Sequence, residues 1–132
     1  MATITNASLT LAHDHRKKIV NAVVKCNINF SNLELCLMKT CGGRHFKAKC
    51  QLWGADSGLT GADDFLYTYP KVFYFPDPTP SATETISFSE VLGEVVLDED
   101  WGEDEVYGRI TLTNLTTLVQ IKKKTNTVSH SF

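Results

Sequence analysis

The chain has 132 residues, of which 42% are hydrophobic, and 13 Lys and Arg against 15 Asp and Glu give it a net charge of −2. This length predicts one domain that buries roughly two-thirds of its chain surface on folding. Near-neutrality predicts neither general nucleic-acid binding nor a disordered acidic tail. No apolar run is long enough to cross a bilayer. The first ten residues lack the features of a secretory signal, which slightly favours the cytoplasm but leaves the compartment open.

The residue usage favours strands over helices. Thr, Val and Ile together supply 31 residues and Ala only 8, and side chains branched at Cβ suit the pleated, half-buried surface of a strand. Apolar and polar residues alternate most clearly in "NAVVKCNINF" (21–30) and "RHFKAKCQLW" (44–53), which are predicted to be strands. Further strands are predicted, in chain order, at Ile4–Leu11, Leu66–Phe75 with an interruption at Pro70, Glu84–Val91, Glu94–Leu97, Val106–Thr113 and Leu118–Lys122, and the final "NTVSHSF" can add a short edge strand.

One short helix interrupts this pattern at "SNLELCLMK" (31–39). Ser31 and Glu34 have the spacing of a capping box, and a glycine pair follows the segment and ends it. Seven to nine short strands separated by turn signals are typical of an antiparallel sandwich. The prediction is therefore a single all-β domain over residues 1–132, an antiparallel β-sandwich of C2-like or Ig-like type with one short helix.

Four cysteines lie within one 25-residue window, namely Cys26, Cys36, Cys41 and Cys50. An even number permits two disulfides in three pairings. The spacing lacks the paired C-x2-C knuckles of a structural zinc site. Buried free thiols, at least one disulfide and metal binding all stay open, and free thiols are favoured because the sequence shows no leader.

The acidic residues are concentrated in two segments. "LDEDWGEDEVYG" (97–108) puts six carboxylates into the eight residues from Asp98 to Glu105, around Trp101. "WGADSGLTGADDF" (53–65) carries three more among glycines that allow tight turns. Crowded carboxylates repel one another unless something neutralises them. They could form a solvated rim screened by salt, contact a basic partner, or hold a hard cation such as Ca²⁺, which takes roughly six to eight oxygen ligands.

Both acidic segments resemble the calcium loops of C2 domains. "LWGADSGLTGADDFLYTY" (52–69) looks like the first calcium loop, where a strand leads into Asp, Gly and a further Asp. "VVLDEDWGEDEVYGRITL" (95–112) looks like the third, with Asp-x-Asp, a later acid and a new strand. The resemblance implies a set of calcium ligands in which Asp56 and Asp63 belong to the first loop, Asp98 and Asp100 bridge, and Asp104 comes last. Trp101 and Leu59, beside these acids, would then contact a membrane or a glycan.

The histidines offer a weaker signal. "HDH" at His13–His15 could grip a transition metal from one face of a strand, but its position between two strand patterns is interpreted as a polar hairpin turn. His45 and His130 show no partner in the sequence. The run Lys122–Lys124 is interpreted as a solvated edge that discourages strand pairing, although it would also permit head-to-tail association or contact with anionic lipid.

The sequence predicts a non-catalytic binding module. No nucleophile elbow, zinc-protease helix, phosphate loop or dinucleotide fingerprint is present in it, so we expect no enzymatic activity and no nucleic-acid partner. The acidic edge is expected to coordinate Ca²⁺ and to present Trp101 to membrane lipid or a glycan. The alternative is a metal-free structural or assembly protein whose acidic rim contacts another protein, and homo-oligomerisation stays open.

Overall fold

A computed structural model of the chain describes residues 1–55, 63–98 and 104–132. In these ranges the chain forms nine strands and two helices. The elements are β1 (Thr3–Asp14), β2 (Ile19–Asn29), α1 (Asn32–Thr40), β3 (Phe46–Gly54), β4 (Asp64–Thr68), β5 (Phe73–Phe75), β6 (Thr83–Gly93), α2 (Glu94–Leu97), β7 (Asp104–Asn114), β8 (Gln120–Lys124) and β9 (Val128–His130). The predicted all-β class with seven to nine strands is confirmed. No helix within the described ranges is long and apolar enough to span a membrane.

The strands form two antiparallel sheets. The smaller sheet has the order β1-β2-β6, and the larger has the order β4-β3-β7-β8, with β5 paired to β3 and β9 paired to β7. The inner faces of both sheets contribute to one hydrophobic core. Tyr69 joins the two layers directly, because its buried hydroxyl donates a hydrogen bond of 2.9 Å to the carbonyl oxygen of Ala22 in β2. The architecture is therefore a sandwich closed by side chains from both sheets.

Alternation in the sequence decides which face each central strand buries. In β2 the predicted inward residues, from Ala22 through Ile28, are all buried while their neighbours are not. In β3 the same holds from Phe46 to Leu52. Burying each large apolar side chain contributes roughly 1.5–3 kcal/mol. A shift of register by one residue would expose the whole set, so the pattern fixes how these strands face the core.

The predicted helix is confirmed and the predicted strand at Glu94–Leu97 is wrong. Helix α1 begins at the Ser31 cap, and the Ser31 hydroxyl and Glu34 carboxylate each bond to the other's backbone N–H. Residues Glu94–Leu97 form the short helix α2 instead of a strand. A strand would place Val95 and Leu97 on one face, but Val95 is 79% exposed and Leu97 is fully buried.

The segment predicted as one interrupted strand, Leu66–Phe75, is two strands, β4 and β5. Tyr69 still donates its backbone N–H to the carbonyl of Cys50, at 3.0 Å. The next residue, Pro70, has no N–H to continue the ladder. The break therefore lies at the proline, as the sequence predicts.

The last two strands run one after the other along the edge of β7. Between them Thr125 donates its N–H to the carbonyl of Gly108 and accepts a bond of 2.8 Å from the Gly108 N–H. The amide side chain of Asn126 then bonds both the N–H and the carbonyl oxygen of Leu9, at 2.8 and 3.2 Å. These contacts bind the β8–β9 junction to β1 in the other sheet.

All four cysteines are free thiols in this structure, two of them buried and two exposed. Burial raises the pKa of Cys26 to about 12 and raises the pKa of Cys50 well above its ordinary value. The thiolate is the reactive species. We therefore expect iodoacetamide at pH 7.5 to alkylate Cys36 and Cys41 in the native protein and to leave Cys26 and Cys50 unmodified. Peptide mass mapping before and after denaturation measures this, and native labelling of Cys26 would contradict the packing.

A candidate metal-binding site at one end of the sandwich

Three histidines meet at the end of the sandwich where β1 and β9 terminate. His13 is the penultimate residue of β1, His15 follows in the β1–β2 turn, and His130 is the last residue of β9. One potential ligand atom from each lies within 4.8 Å of the other two. A strand pairing places His130 here, since β9 is hydrogen-bonded to β7 beside the end of β1.

His13 is the buried centre of the cluster. Its side chain is 3% exposed, its Nε2 lies 2.7 Å from Oε2 of Glu94, and its Nδ1 lies 2.9 Å from Nε2 of His130. An ionised carboxylate only accepts hydrogen bonds, so the pairing with Glu94 assigns a proton to Nε2. A neutral His13 then directs the lone pair of Nδ1 toward His130.

The other two imidazoles surround His13 in different environments. The His15 ring lies 3.8 Å from the His13 ring, centroid to centroid, and His15 is exposed. His130 is half-buried, and its ring lies 4.8 Å from the ring of Phe132, which also contacts His13 at 5.5 Å. Apolar packing thus covers one side of the cluster and solvent reaches it at His15.

This donor set suits a divalent transition metal. Neutral imidazole nitrogens are ligands for Zn²⁺, Cu²⁺ and Ni²⁺, whereas Ca²⁺ and Mg²⁺ prefer oxygen. The Glu94 carboxylate bonded to the far nitrogen of His13 is the usual outer partner of a metal-bound histidine, because it fixes the tautomer and orients the ring. Three protein ligands with an exposed side would leave a further coordination position to water.

The predicted acidic ligands within the described residues lie at this same end. Asp63 precedes β4, and its Oδ2 accepts a hydrogen bond of 2.5 Å from the Tyr107 hydroxyl. Burial, and then this bond to Asp63, raise the pKa of Tyr107. Asp104 is buried and is the cross-strand partner of His130. Asp98 follows α2 and donates its N–H to the carbonyl oxygen of Glu94.

Strand order explains why the acidic segments and the histidines share one end. Gly54, the last residue of β3, pairs with Asp64 of β4 on one side and with Val106 of β7 on the other. The end of β3 and the beginnings of β4 and β7 therefore lie at the same end of the larger sheet. The predicted ligands Asp56 and Asp100, and the predicted contact residues Leu59 and Trp101, lie outside the described residues.

The sequence offered His13 and His15 as a possible metal pair, which was set aside in favour of a polar turn, and it did not bring His130 to them. The hairpin was predicted correctly, with Asp14 Oδ1 accepting bonds from the Arg16 and Lys17 N–H groups, but His13 lies in the strand and not in the turn. A usable signal was present. His13 continues the inward alternation of Leu9 and Leu11, and His130 stands between Val128 and Phe132, which are all partly or fully buried.

Comparisons with known proteins add little. No protein-family model and no curated protein matches the chain. Two of the solved structures that match it resemble it only weakly. The Northeast Structural Genomics Consortium target SoR45 is 8% identical over 97% of this chain and 84% of its own, with a TM-score of 0.43. The putative ApaA protein from Bordetella pertussis is 9% identical over 98% and 91%, with a TM-score of 0.37. Similarity at this level does not define a shared fold or function.

Proposed function

We propose that the protein is a non-catalytic binding module that takes up one divalent transition-metal ion at His13, His15 and His130. The observation that carries the proposal is the convergence of three imidazole donors within 4.8 Å. Glu94 supports it, because its carboxylate orients the central ring through a bond of 2.7 Å.

A purely structural role accounts for only part of the cluster. A buried histidine satisfied by Glu94 and His130 is a complete hydrogen-bond chain, and it needs no third imidazole. His15 nevertheless packs against His13 with its ring tilted by 46°, and among the described residues its ring makes no hydrogen bond. A metal ion gives all three rings a common partner. A bound ion would also link the end of β1 to β9, since His13 and His130 are 117 residues apart in the sequence.

The proposal predicts metal-specific stabilisation. Ligand binding to the native state alone stabilises by about 2.7 kcal/mol when the free ligand is at 100 times its Kd. We therefore expect the melting temperature in EDTA to rise with Zn²⁺, Co²⁺ or Ni²⁺ in a saturable way. The exposed thiols are removed as competing ligands by working in a Cys36→Ser/Cys41→Ser background.

The matched control is His45→Ala, which removes an imidazole bonded to the carbonyl oxygen of Cys41, away from the cluster. It should keep the full Zn²⁺ shift, while His13→Ala should lose it. If no transition metal raises the melting temperature, or if His13→Ala retains the shift, the histidine site is wrong.

A second candidate is the predicted calcium module. We propose Ca²⁺ at the acidic edge formed by Asp56, Asp63, Asp98, Asp100 and Asp104, with Trp101 and Leu59 presented to a membrane or glycan. The placement of Asp63 and Asp104 at one end of the larger sheet supports it. In the same titration a Ca²⁺-specific rise, lost in Asp98→Asn/Asp100→Asn but kept in His13→Ala, would identify this site. With neither metal response, the metal-free assembly protein becomes the better description.

A further inference from the structure

The outer face of the larger sheet concentrates positive charge. Strand pairing aligns Lys49, Thr111 and Lys122 in one row across β3, β7 and β8. The next row along the strands joins Gln51, Arg109 and Lys124. We call the set that points outward from this sheet the cationic face; its members are Lys47, Lys49, Arg109, Lys122 and Lys124.

The centre of the cationic face is a shallow groove. Its volume is about 230 Å³, and its walls are polar and basic side chains: Lys49, Gln51, Thr111, Gln120 and Lys122. Residues two apart along a strand are about 7 Å apart, and neighbouring strands are about 4.8 Å apart. The ammonium groups are therefore spread over the sheet at intervals that one extended anionic chain can follow, while amide and hydroxyl groups between them supply hydrogen bonds.

Arg109 is linked to a carboxylate through one hydroxyl, because its guanidinium donates a hydrogen bond of 3.4 Å to Tyr107 and the Tyr107 hydroxyl donates to Asp63. The ion pairs Met1–Glu34 and His13–Glu94 both lie away from the cationic face. Protection against edge pairing accounts for lysines on the edge strand β8, but Lys47 and Lys49 are on β3, which has strands on both sides. On the described outer surface of the smaller sheet, by contrast, Lys25 stands alone among mostly Ser, Thr and Asn.

Aromatic side chains flank the cationic face at both ends. Tyr74 pairs with Lys47, is 37% exposed and has the Arg44 guanidinium 3.9 Å from its ring centroid. At the other end Phe65 pairs with Trp53 and is 52% exposed. Lysines that follow a phosphate backbone, combined with aromatic faces on which bases stack, are the elements of single-strand recognition.

We propose that the cationic face binds single-stranded nucleic acid, with phosphates on the lysines and bases on Phe65 and Tyr74. The net charge of −2 does not oppose this, because it is a sum over the whole chain, and six of the fifteen acidic residues fall within the eight residues 98–105. Exposed rings at the ends of the face favour unstacked bases over a duplex, whose bases are stacked on one another and present only their edges in the grooves.

The test is fluorescence anisotropy with a labelled 20-nucleotide oligothymidylate, in EDTA, at several salt concentrations. For single strands the logarithm of affinity falls with the logarithm of salt by about 0.7 per phosphate contact. The variant Lys49→Gln/Lys122→Gln should therefore bind at least about tenfold more weakly at 50 mM salt. Because two phosphate contacts are removed, the slope of log affinity against log salt should become shallower by about 1.4. Lys25→Gln is the control, since it removes the lone lysine from the smaller sheet's outer surface.

Competition decides the class of anion, and Phe65→Leu/Tyr74→Leu decides the role of stacking. Unlabelled single strand should displace the probe better than a duplex or a sulfated polysaccharide of matched charge. The variant Phe65→Leu/Tyr74→Leu should bind the probe roughly fivefold or more weakly, because each base that no longer stacks on an aromatic ring reduces the affinity. Equal displacement by all three competitors, no binding at 50 mM salt, or an equal loss in Lys25→Gln would overturn the proposal. Melting curves of each variant verify that the fold is intact.

Discussion

Replacing Gly108 with valine is expected to destabilise the protein by more than 3 kcal/mol, and replacing it with alanine by about 1–3 kcal/mol. A Cβ at this position would lie 2.9 Å from Cγ2 of Val24 and 3.2 Å from Cγ2 of Thr125. Val24 belongs to the opposite sheet and is fully buried, so it cannot move aside without separating the layers. Urea denaturation of the two variants measures the loss.

Gly42 provides the control for the loss of glycine flexibility. A Cβ at Gly42 meets nothing within 4 Å, so Gly42→Ala should leave stability unchanged within about 0.5 kcal/mol. If Gly108→Ala behaved like Gly42→Ala, the close approach of β7 to β2 would not exist. The position also matters for the site, because the Gly108–Thr125 bonds fix where the chain leaves β8 and enters β9.

The sandwich could be predicted because its central strands have long, regular patterns. In β2 and β3 the alternation extends over most of the strand, so burial and sequence agree residue by residue. Helix α1 was predictable for a different reason, since its capping box is a local motif that forms two specific hydrogen bonds. Four residues such as Glu94–Leu97 contain too few positions to distinguish a helical turn from a short strand.

Local alternation could place His13 and His130 on inward-facing positions, but it could not show that they meet. His13 and His130 meet only because β9, a strand of three residues, pairs with Asp104–Val106 of β7. No sequence pattern states that register. The basic face was hidden in the same way: Lys49 and Lys122 are far apart in the chain and become neighbours through Thr111 between them. The acidic segments were visible because their residues are contiguous.

Net charge illustrates the same limit. A value of −2 averages over the whole surface and says nothing about its distribution. The strands of the larger sheet alternate, so their outward lysines all face one side, whereas the acidic residues are clustered along the sequence, with six of the fifteen between Asp98 and Glu105. A basic surface on one small domain is therefore compatible with near-neutrality of the whole chain.

Variants of the proposed histidine metal site should distinguish its direct ligands from the carboxylate that orients one of them. His130→Ala should lose at least about 100-fold in Zn²⁺ affinity, because it removes one of three protein ligands. Glu94→Gln keeps a hydrogen-bond acceptor near His13 Nε2 but loses the charge, and loss of such an outer partner typically costs about 10–100-fold. Competition with a chromophoric zinc chelator in the Cys36→Ser/Cys41→Ser background gives both affinity and stoichiometry.

The pattern across the variants is more informative than any single value. Glu94→Gln should weaken binding while one Zn²⁺ per chain is still taken up, and His45→Ala should change neither quantity. If Glu94→Gln bound Zn²⁺ as tightly as the parent, the Glu94 carboxylate would not be orienting a metal ligand. Because the bond to Glu94 occupies Nε2 of His13, the metal must take Nδ1, so it has to replace the contact of 2.9 Å between His13 and His130. Metal binding and that hydrogen bond are therefore mutually exclusive, and imidazole NMR signals of the two rings should shift together as Zn²⁺ is added.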